Sequence, residues 1–205
     1  MQQKFNLPDD FELSQSYQFF WDKFEKANYF YENVLKTASL PTDDRKVAWL
    51  MDAPQSDGGQ WDMLCALIAK YGVMPKSAMP ESFNSNNSRG IDSVLNNKLR
   101  HDAVILRKMV NEDHASQDEL DAKRTTMLNE VYRMLAYAFG EPSTHFDFEY
   151  RTKKANEFHR DANLTPREFF KKYIGWNLDD YVSIIQAPTA DKKYHKTYTI
   201  DMLGN

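Results

Sequence analysis

Hydrophobic residues recur with helical spacing along three long stretches of this 205-residue chain. The first stretch follows 11–15 and ends near Lys36, with an apolar stripe made of Tyr17, Phe20, Phe24, Ala27, Tyr31 and Val34. The second and third stretches, at 91–111 and 117–139, keep the same period. Such a period predicts amphipathic helices that each bury one face. We expect the last two to pair antiparallel, because the short polar segment 111–114 separates them.

Shorter elements are predicted from capping and turn residues between these stretches. Thr42 can cap a short helix that runs to Met51, and Gly140 is placed to end the third long helix. Another helix follows the glycine pair at 58–59, with an apolar side that we expect to be buried, made of Trp61, Leu64, Cys65 and Ile68. The prolines and polar residues of 72–88 predict a crossing loop.

From residue 144 the pattern changes to alternation, which is typical of a strand. Aromatic residues occupy one side of this strand and polar residues the other: Phe146, Phe148 and Tyr150 against His145, Asp147 and Glu149. Thr165 and Glu168 form a capping box around Pro166, which predicts a helix through Tyr173. Two further strands are predicted, at 180–185 and 198–202. The whole pattern predicts a mostly helical α+β fold with a few antiparallel strands.

Composition narrows the class of protein. Hydrophobic residues make up 41% and aromatic residues 14%, which is typical of a globular chain. The net charge of −4 gives no electrostatic reason to expect nucleic acid as a partner. No apolar run approaches the roughly 20 residues needed to cross a bilayer, so we expect no membrane contact. The single cysteine excludes a disulfide framework, and the N-terminal residues lack a signal-peptide pattern, so we expect a cytoplasmic location.

Asp57, Gly58, Gly59 and Gln60, called the glycine segment below, are the candidate binding residues. Adjacent glycines allow positive φ angles and let another chain approach the backbone closely. One interpretation is a loop that leads into a core helix. The other is an open stretch of backbone that binds an extended peptide through strand-like hydrogen bonds. Spacing alone leaves both interpretations open.

The sequence resembles one protein family along most of its length. The resemblance is carried by Phe-Glu-Leu-Ser-Gln near residue 11, Asp-Gly-Gly-Gln-Trp-Asp-Met-Leu at the glycine segment, Lys-Tyr-Gly-Val after it, Thr-Pro-x-Glu-Phe at 165 and the final Leu-Gly-Asn. These segments resemble the bleomycin hydrolase and aminopeptidase C family of papain-like cysteine peptidases. The resemblance implies a partial papain-like fold from a cytoplasmic cysteine aminopeptidase, which removes N-terminal residues from peptides. It also implies that the glycine segment binds the peptide substrate, that no metal or organic cofactor is needed, and that the protein self-associates, since the family forms hexamers.

The family's catalytic residues have no counterpart in the matched segments. A papain-like peptidase needs a cysteine thiolate, a histidine, and an asparagine or aspartate that orients the histidine. The resemblance implies that this cysteine precedes the matched segments and that the histidine and asparagine follow them. Cys65 stands where the family has an aliphatic residue, and we expect it to pack in the core. We therefore assign no catalytic residue to this chain and predict that it has no peptidase activity alone.

Two other functions are compatible with some of the residues. His145, Asp147 and Glu149 could in principle ligate a metal, but residues of this kind more often form the solvated face of a strand, so we predict no metal site. The second alternative is a non-catalytic helical module that binds peptides or a partner subunit. If the chain is instead part of a peptidase, we expect its protein partner to be a second copy of the chain or a segment that completes the enzyme.

We expect residues 1–205 to form a single partial peptidase domain. In this division 1–88 form the helical wall of the cleft and contain Gly58-Gly59, 89–143 form an inserted helical pair, and 144–205 begin the β portion. A partial fold of this kind should expose large apolar patches, and should be oligomeric or only marginally stable.

Overall fold

The computed structural model describes residues 1–181 and 193–196. Its helices are, in chain order, α1 (Gln2–Phe5), α2 (Gln15–Lys36), α3 (Arg45–Asp52), α4 (Trp61–Tyr71), α5 (Phe83–Asn86), α6 (Arg89–Asn111), α7 (Gln117–Phe139) and α8 (Pro166–Phe169). Strands β1 (Phe146–Arg151) and β2 (Phe158–Leu164) lie between α7 and α8. A π-helical turn (Phe170–Ile174) continues α8, and a 3-10 turn (Leu178–Asp180) follows. The fold is mostly helical α+β, as the sequence pattern predicts.

The three long helices α2, α6 and α7 form the main hydrophobic core. Their buried side chains include Tyr17, Phe20, Ala27, Phe30, Tyr31 and Val34 from α2, Leu95, Leu99, Ala103 and Leu106 from α6, and Met127, Val131, Leu135 and Phe139 from α7. Burial of each large side chain contributes about 1.5–3 kcal/mol, so this core is the main source of stability. Phe24, which the sequence places in the apolar stripe of α2, is only half-buried, and Val94 lies on the exposed side of α6.

The ends of the long helices follow their capping residues. The predicted range of α7 is confirmed, since Ser116 and Glu119 form a capping box at its start and Gly140 follows its last residue. Helix α6 begins at Arg89 rather than at residue 91. Ser14 caps α2 by accepting a hydrogen bond from Tyr17 N. Each cap pairs backbone N–H groups that the first turn of a helix leaves without partners.

The predicted cap of α3 is wrong. Asp44, not Thr42, caps this helix, and its carboxylate accepts a hydrogen bond from Lys46 N at 2.8 Å. The reason is a turn just before the helix, in which Asp44 N donates to the carbonyl oxygen of Pro41 at 3.1 Å. That turn contains Thr42 and Asp43 at its centre and leaves Asp44 at the capping position.

Strands β1 and β2 form an antiparallel hairpin that packs on a second, smaller core. The predicted alternation in β1 is confirmed, since Phe148 is buried while Asp147 and Glu149 are exposed. Sequence reasoning missed β2, because its residues are exposed or half-buried without the alternation of a half-buried strand. The buried residues of this core are Leu7, Val73, Phe148, Phe169 and Tyr173.

Gly72 lies where the end of α4 meets the start of α8. A Cβ built on Gly72 would lie 2.3 Å from the carbonyl carbon of Pro166, and the φ angle of Gly72 is +78°. Val73 N donates to Pro166 O at 3.3 Å. The predicted capping box of α8 is confirmed, with Thr165 bonded to Glu168. The predicted helix through Tyr173 is α-helical only to Phe169 and then continues as the π-helical turn.

The two strands predicted near the C-terminus fall largely outside the described residues. Asp180 ends the 3-10 turn and Tyr181 is extended, but the rest of 180–185 and all of 198–202 lie outside them. Within the part of the chain that the structure describes, no helix has the length and apolar character needed to span a bilayer.

Candidate functional site

The glycine segment connects α3 to α4 and is exposed along its whole length. Helix α4 begins directly after it, and Gln60 at its N-cap has an extended backbone with φ −106° and ψ 160°. Gly58 and Gly59 do not adopt the positive φ angles that glycine allows, since the glycines with positive φ in the described residues are Gly72, Gly140 and Gly175. The glycine pair is thus not a turn of a type that requires positive φ.

The space in front of the glycine pair is open. A Cβ on Gly59 would meet no atom within 4 Å, and one on Gly58 would meet only the hydroxyl oxygen of Ser56 at 3.7 Å. Within residues 1–181 and 193–196, the backbone N–H and C=O of Gly59 make no hydrogen bond. An exposed backbone with a free donor and a free acceptor can pair with an incoming extended chain.

The carboxylate of Asp57 forms hydrogen bonds with other side chains of the protein. It accepts a hydrogen bond from Lys23 Nζ at 2.5 Å and another from Ser88 Oγ at 2.6 Å. Burial acts to raise the pKa of Asp57, but the hydrogen bonds from Lys23 and Ser88 outweigh it and hold the pKa below its usual value. Asp57 is therefore ionised at neutral pH and fixes one end of the glycine segment.

A second lysine of α2 also reaches this segment. Lys26 Nζ donates to the carbonyl oxygens of Ser56 and Gly58, each at 2.7 Å, and to Asp22 at 2.6 Å. Sequence reasoning missed both Lys23 and Lys26. The signal available was the position of Lys23, a charged residue within the aromatic stretch of α2 that is only 1% exposed in the structure.

The predicted buried face of α4 is wrong for Trp61 and Leu64, whereas Ile68 is partly buried against the second core. Trp61 and Leu64 are each 37% exposed, and Cys65 is half-buried. The helix instead buries Leu67, and the ring of Tyr71 stacks on Trp21 of α2 with a centroid distance of 3.9 Å. Apolar residues occur around much of this short helix, so periodicity alone did not identify the covered side.

Cys65 is placed unlike a catalytic nucleophile. It lies inside α4 rather than at the N-terminus of a helix, and desolvation, followed by the charges of Asp62 and Asp179, raises the pKa of its thiol. In the described residues, no hydrogen bond or ion pair joins this thiol to an imidazole. The neighbours therefore favour the protonated, unreactive thiol.

The polar face of β1 is used by protein side chains. Arg160 of β2 contacts Asp147 at 2.6 Å and Glu149 at 3.1 Å. Asp147 also accepts a hydrogen bond from Asn163 N at 2.8 Å. His145 lies just before the strand and bonds to Thr144. These carboxylates thus pair with a guanidinium across the hairpin, which accounts for their alternation without a metal ion.

Several known proteins are similar to this chain over all or nearly all of its length. The sequence model of the peptidase C1-like family matches residues 1–205. Aminopeptidase C of Lactobacillus delbrueckii subsp. lactis is 51% identical over 205 residues, which are 100% of this chain and 45% of that protein. Aminopeptidase C of Listeria innocua is 54% identical over 196 residues, 96% of this chain and 43% of that protein.

A solved structure agrees with these relatives. The crystal structure of PepW from Lactobacillus rhamnosis HN001 matches with a TM-score of 0.95 and 61% identity, over 100% of this chain and 45% of that one. The chain thus spans a little under half the length of the proteins it matches. The resemblance found in the sequence is confirmed, and the fold is a partial papain-like α+β fold. Because the family match extends from the first residue to the last, this chain belongs to the peptidase C1-like family.

Proposed function

We propose that this chain forms the substrate-binding part of a cysteine aminopeptidase, in which the glycine segment binds the backbone of a peptide. The observation that carries the proposal is the open backbone of Gly59, which makes no hydrogen bond within residues 1–181 and 193–196. A peptide can pair with such a backbone as one strand pairs with a sheet edge. The name aminopeptidase C, shared by relatives about half identical in sequence, supports this class of reaction.

In the proposed reaction the chain positions the substrate and does not attack it. A cysteine peptidase forms an acyl-thioenzyme when its thiolate attacks the peptide carbonyl and the scissile C–N bond breaks, which releases the rest of the peptide as a protonated amine. Water then hydrolyses the thioester to free the acyl part as a carboxylic acid and restore the thiol. Holding the peptide by its backbone places that carbonyl at a fixed distance from the attacking group. We assign the nucleophile to polypeptide outside these 205 residues, because Cys65 is the one cysteine of the chain and its pKa is raised.

Location and assembly belong to the same proposal. We place the protein in the cytoplasm as a soluble enzyme that needs no metal or organic cofactor. Its partners are peptide substrates and either further copies of itself or a segment that completes the catalytic centre. The exposed apolar side chains of Trp61, Leu64, Trp176 and Tyr181 support such assembly, since surfaces of this kind are usually covered by protein.

Calorimetric titration with tetra-alanine tests the binding part of the proposal. We expect the wild-type chain to bind this peptide, and Gly59→Ala to bind it about tenfold more weakly, because the new methyl group occupies the space through which the peptide approaches. Gly90→Ala in α6 is the matched control, since a Cβ there also meets no atom within 4 Å. Equal affinities for all three chains would refute binding at the glycine segment.

A turnover assay tests the catalytic part. With an aminoacyl-coumarin substrate and a reducing agent, we expect the chain alone to show no thiol-dependent release of the fluorophore. Turnover that disappears in Cys65→Ala would prove the inactivity proposal wrong. Thiol-dependent turnover should appear when the chain is mixed with the remaining part of Listeria innocua aminopeptidase C, expressed separately.

The second candidate is a non-catalytic module that binds a peptide or a partner subunit. The half-exposed apolar face of α4 favours it, because that face is available in the described chain without any catalytic group beside it. The mixing experiment separates the two candidates. Restored turnover supports the peptidase part, whereas peptide binding that survives without any restored turnover supports the non-catalytic module.

A further inference from the structure

Two lysines of α2 hold the chain at Ser56, Asp57 and Gly58. Lys26 Nζ contacts three oxygens, from Asp22, Ser56 and Gly58, at 2.6–2.7 Å. An ammonium group has three N–H donors, so the donors of Lys26 are all used. Two of them go to main-chain carbonyls of the loop, which a side-chain substitution in the loop cannot remove.

Lys23 holds the carboxylate of Asp57, the residue before Gly58. Its side chain is fully buried, and its Nζ lies 2.5 Å from Asp57 and 2.6 Å from Asp92 of α6. Ser88, just before α6, also donates to Asp57. The loop is thereby tied to α2 and α6, two helices of the main core.

The hydrogen bond to Gly58 has a geometric consequence for Gly59. No cis peptide bond occurs in the described residues, so the peptide unit between these glycines is trans and planar. In a trans unit the C=O of the first residue and the N–H of the second point in opposite directions. Because the carbonyl of Gly58 points to Lys26, the N–H of Gly59 points away from α2, towards the open space in front of the loop.

We propose that Lys26 is a positioning residue for peptide binding, which keeps the N–H of Gly59 directed outwards by holding the carbonyl of Gly58. The proposal rests on the proposed function, in which Gly59 pairs with the peptide. Two adjacent glycines have the largest backbone freedom of any dipeptide, so an unheld loop would lose that freedom on binding. Lys26 restricts the backbone of Gly58 before the peptide binds, so less conformational entropy is lost on binding. Lys23 holds Asp57 and thereby fixes the start of the glycine segment.

The test compares Lys26→Met with Lys36→Met, a matched change on the same helix. The side chain of Lys26 is 12% exposed and that of Lys36 is 70% exposed. Among the residues that the structure describes, Lys36 pairs with Glu32 at 3.8 Å. Nitrogen-15 relaxation of the Gly59 amide should give an order parameter near about 0.85 in the wild type and in Lys36→Met, and below about 0.6 in Lys26→Met. Tetra-alanine should bind Lys26→Met about tenfold more weakly, a loss of about 1.4 kcal/mol.

The order parameter of the Gly59 amide tests the positioning role of Lys26, and the affinity for tetra-alanine tests the proposed function. An unchanged Gly59 order parameter in Lys26→Met overturns the positioning role, whether or not the peptide binds. If the wild-type chain does not bind tetra-alanine but the Gly59 amide of Lys26→Met becomes mobile, the proposed function is wrong while the control of Gly59 by Lys26 is supported. Lys26→Arg, which also donates to carbonyls, should restore the order of the amide. A general loss of folding is recognised because it would lower the order parameters of α2 as well.

Discussion

Replacing Gly72 by alanine should destabilise the fold strongly, because two separate constraints meet at this position. The backbone has φ +78° and ψ −157°. That region is populated almost only by glycine, and holding another residue there costs about 1–3 kcal/mol. A Cβ would also lie 2.3 Å from Pro166 C and 2.5 Å from Arg167 N. Both are main-chain atoms, so the overlap is relieved only if α8 moves relative to α4.

The expected size of the effect follows from these two terms. Forcing an additional group into a packed contact usually costs about 1–3 kcal/mol. With the backbone term, the free energy of unfolding of Gly72→Ala should fall by about 2–6 kcal/mol. For a domain of this length, such a loss lowers the melting temperature by roughly 4–24 °C.

Two other alanine variants separate the terms. Gly140 has φ +89° and ψ 153°, but a Cβ there meets no atom within 4 Å, so Gly140→Ala should lose only the backbone term of about 1–3 kcal/mol. Gly59→Ala meets neither constraint and should change stability by less than about 0.5 kcal/mol. Urea unfolding followed by circular dichroism measures all three. Equal losses for Gly72→Ala and Gly140→Ala would refute the role given to the contact with Pro166.

Three further predictions concern single side chains. The pKa of Asp57 is lowered in the folded state, so the ionised carboxylate stabilises the fold at pH values above its unfolded pKa of about 3.9. This stabilisation is lost as the pH falls through the lower pKa of the folded state. Asp57→Asn should therefore make the free energy of unfolding less dependent on pH in the acid range. Both polar side-chain atoms of Gln55 are buried and have no partner in the described residues, so Gln55→Met should be neutral or up to about 1 kcal/mol more stable in urea unfolding; a clear loss would contradict this. Ser116→Ala removes the cap of α7 and should cost about 1 kcal/mol in the same assay, whereas no loss would show that the cap is dispensable.

The sequence predicted well those elements whose signals are local. The range of α7 could be read from the capping box at Ser116, the apolar period and the glycine that follows. The buried side of β1 followed from strict alternation around Phe148. Both depend on residues within a few positions of each other, which is the distance over which periodicity and capping act.

The conformation of the candidate site depends on contacts between residues that are far apart in the sequence, and sequence patterns do not predict such contacts. The bond from Lys23 to Asp57 spans 34 positions, and that from Lys26 to Gly58 spans 32. The exposure of Trp61 and Leu64 on α4 was not predicted, because the stacking of Tyr71 on Trp21 is a tertiary contact. Sequence reasoning thus identified the glycine segment as a candidate but not the helix that holds it.

The most direct test of this account is a titration of the nitrogen-15-labelled chain with tetra-alanine, followed through the amide signal of Gly59. We predict that this signal moves with a saturable dependence on peptide concentration, because the free N–H of Gly59 becomes a hydrogen-bond donor to the peptide. The signal of Gly90, in α6, should stay in place. A Gly59 signal that does not move while other signals report peptide binding, or that does not move because nothing binds, would contradict the account.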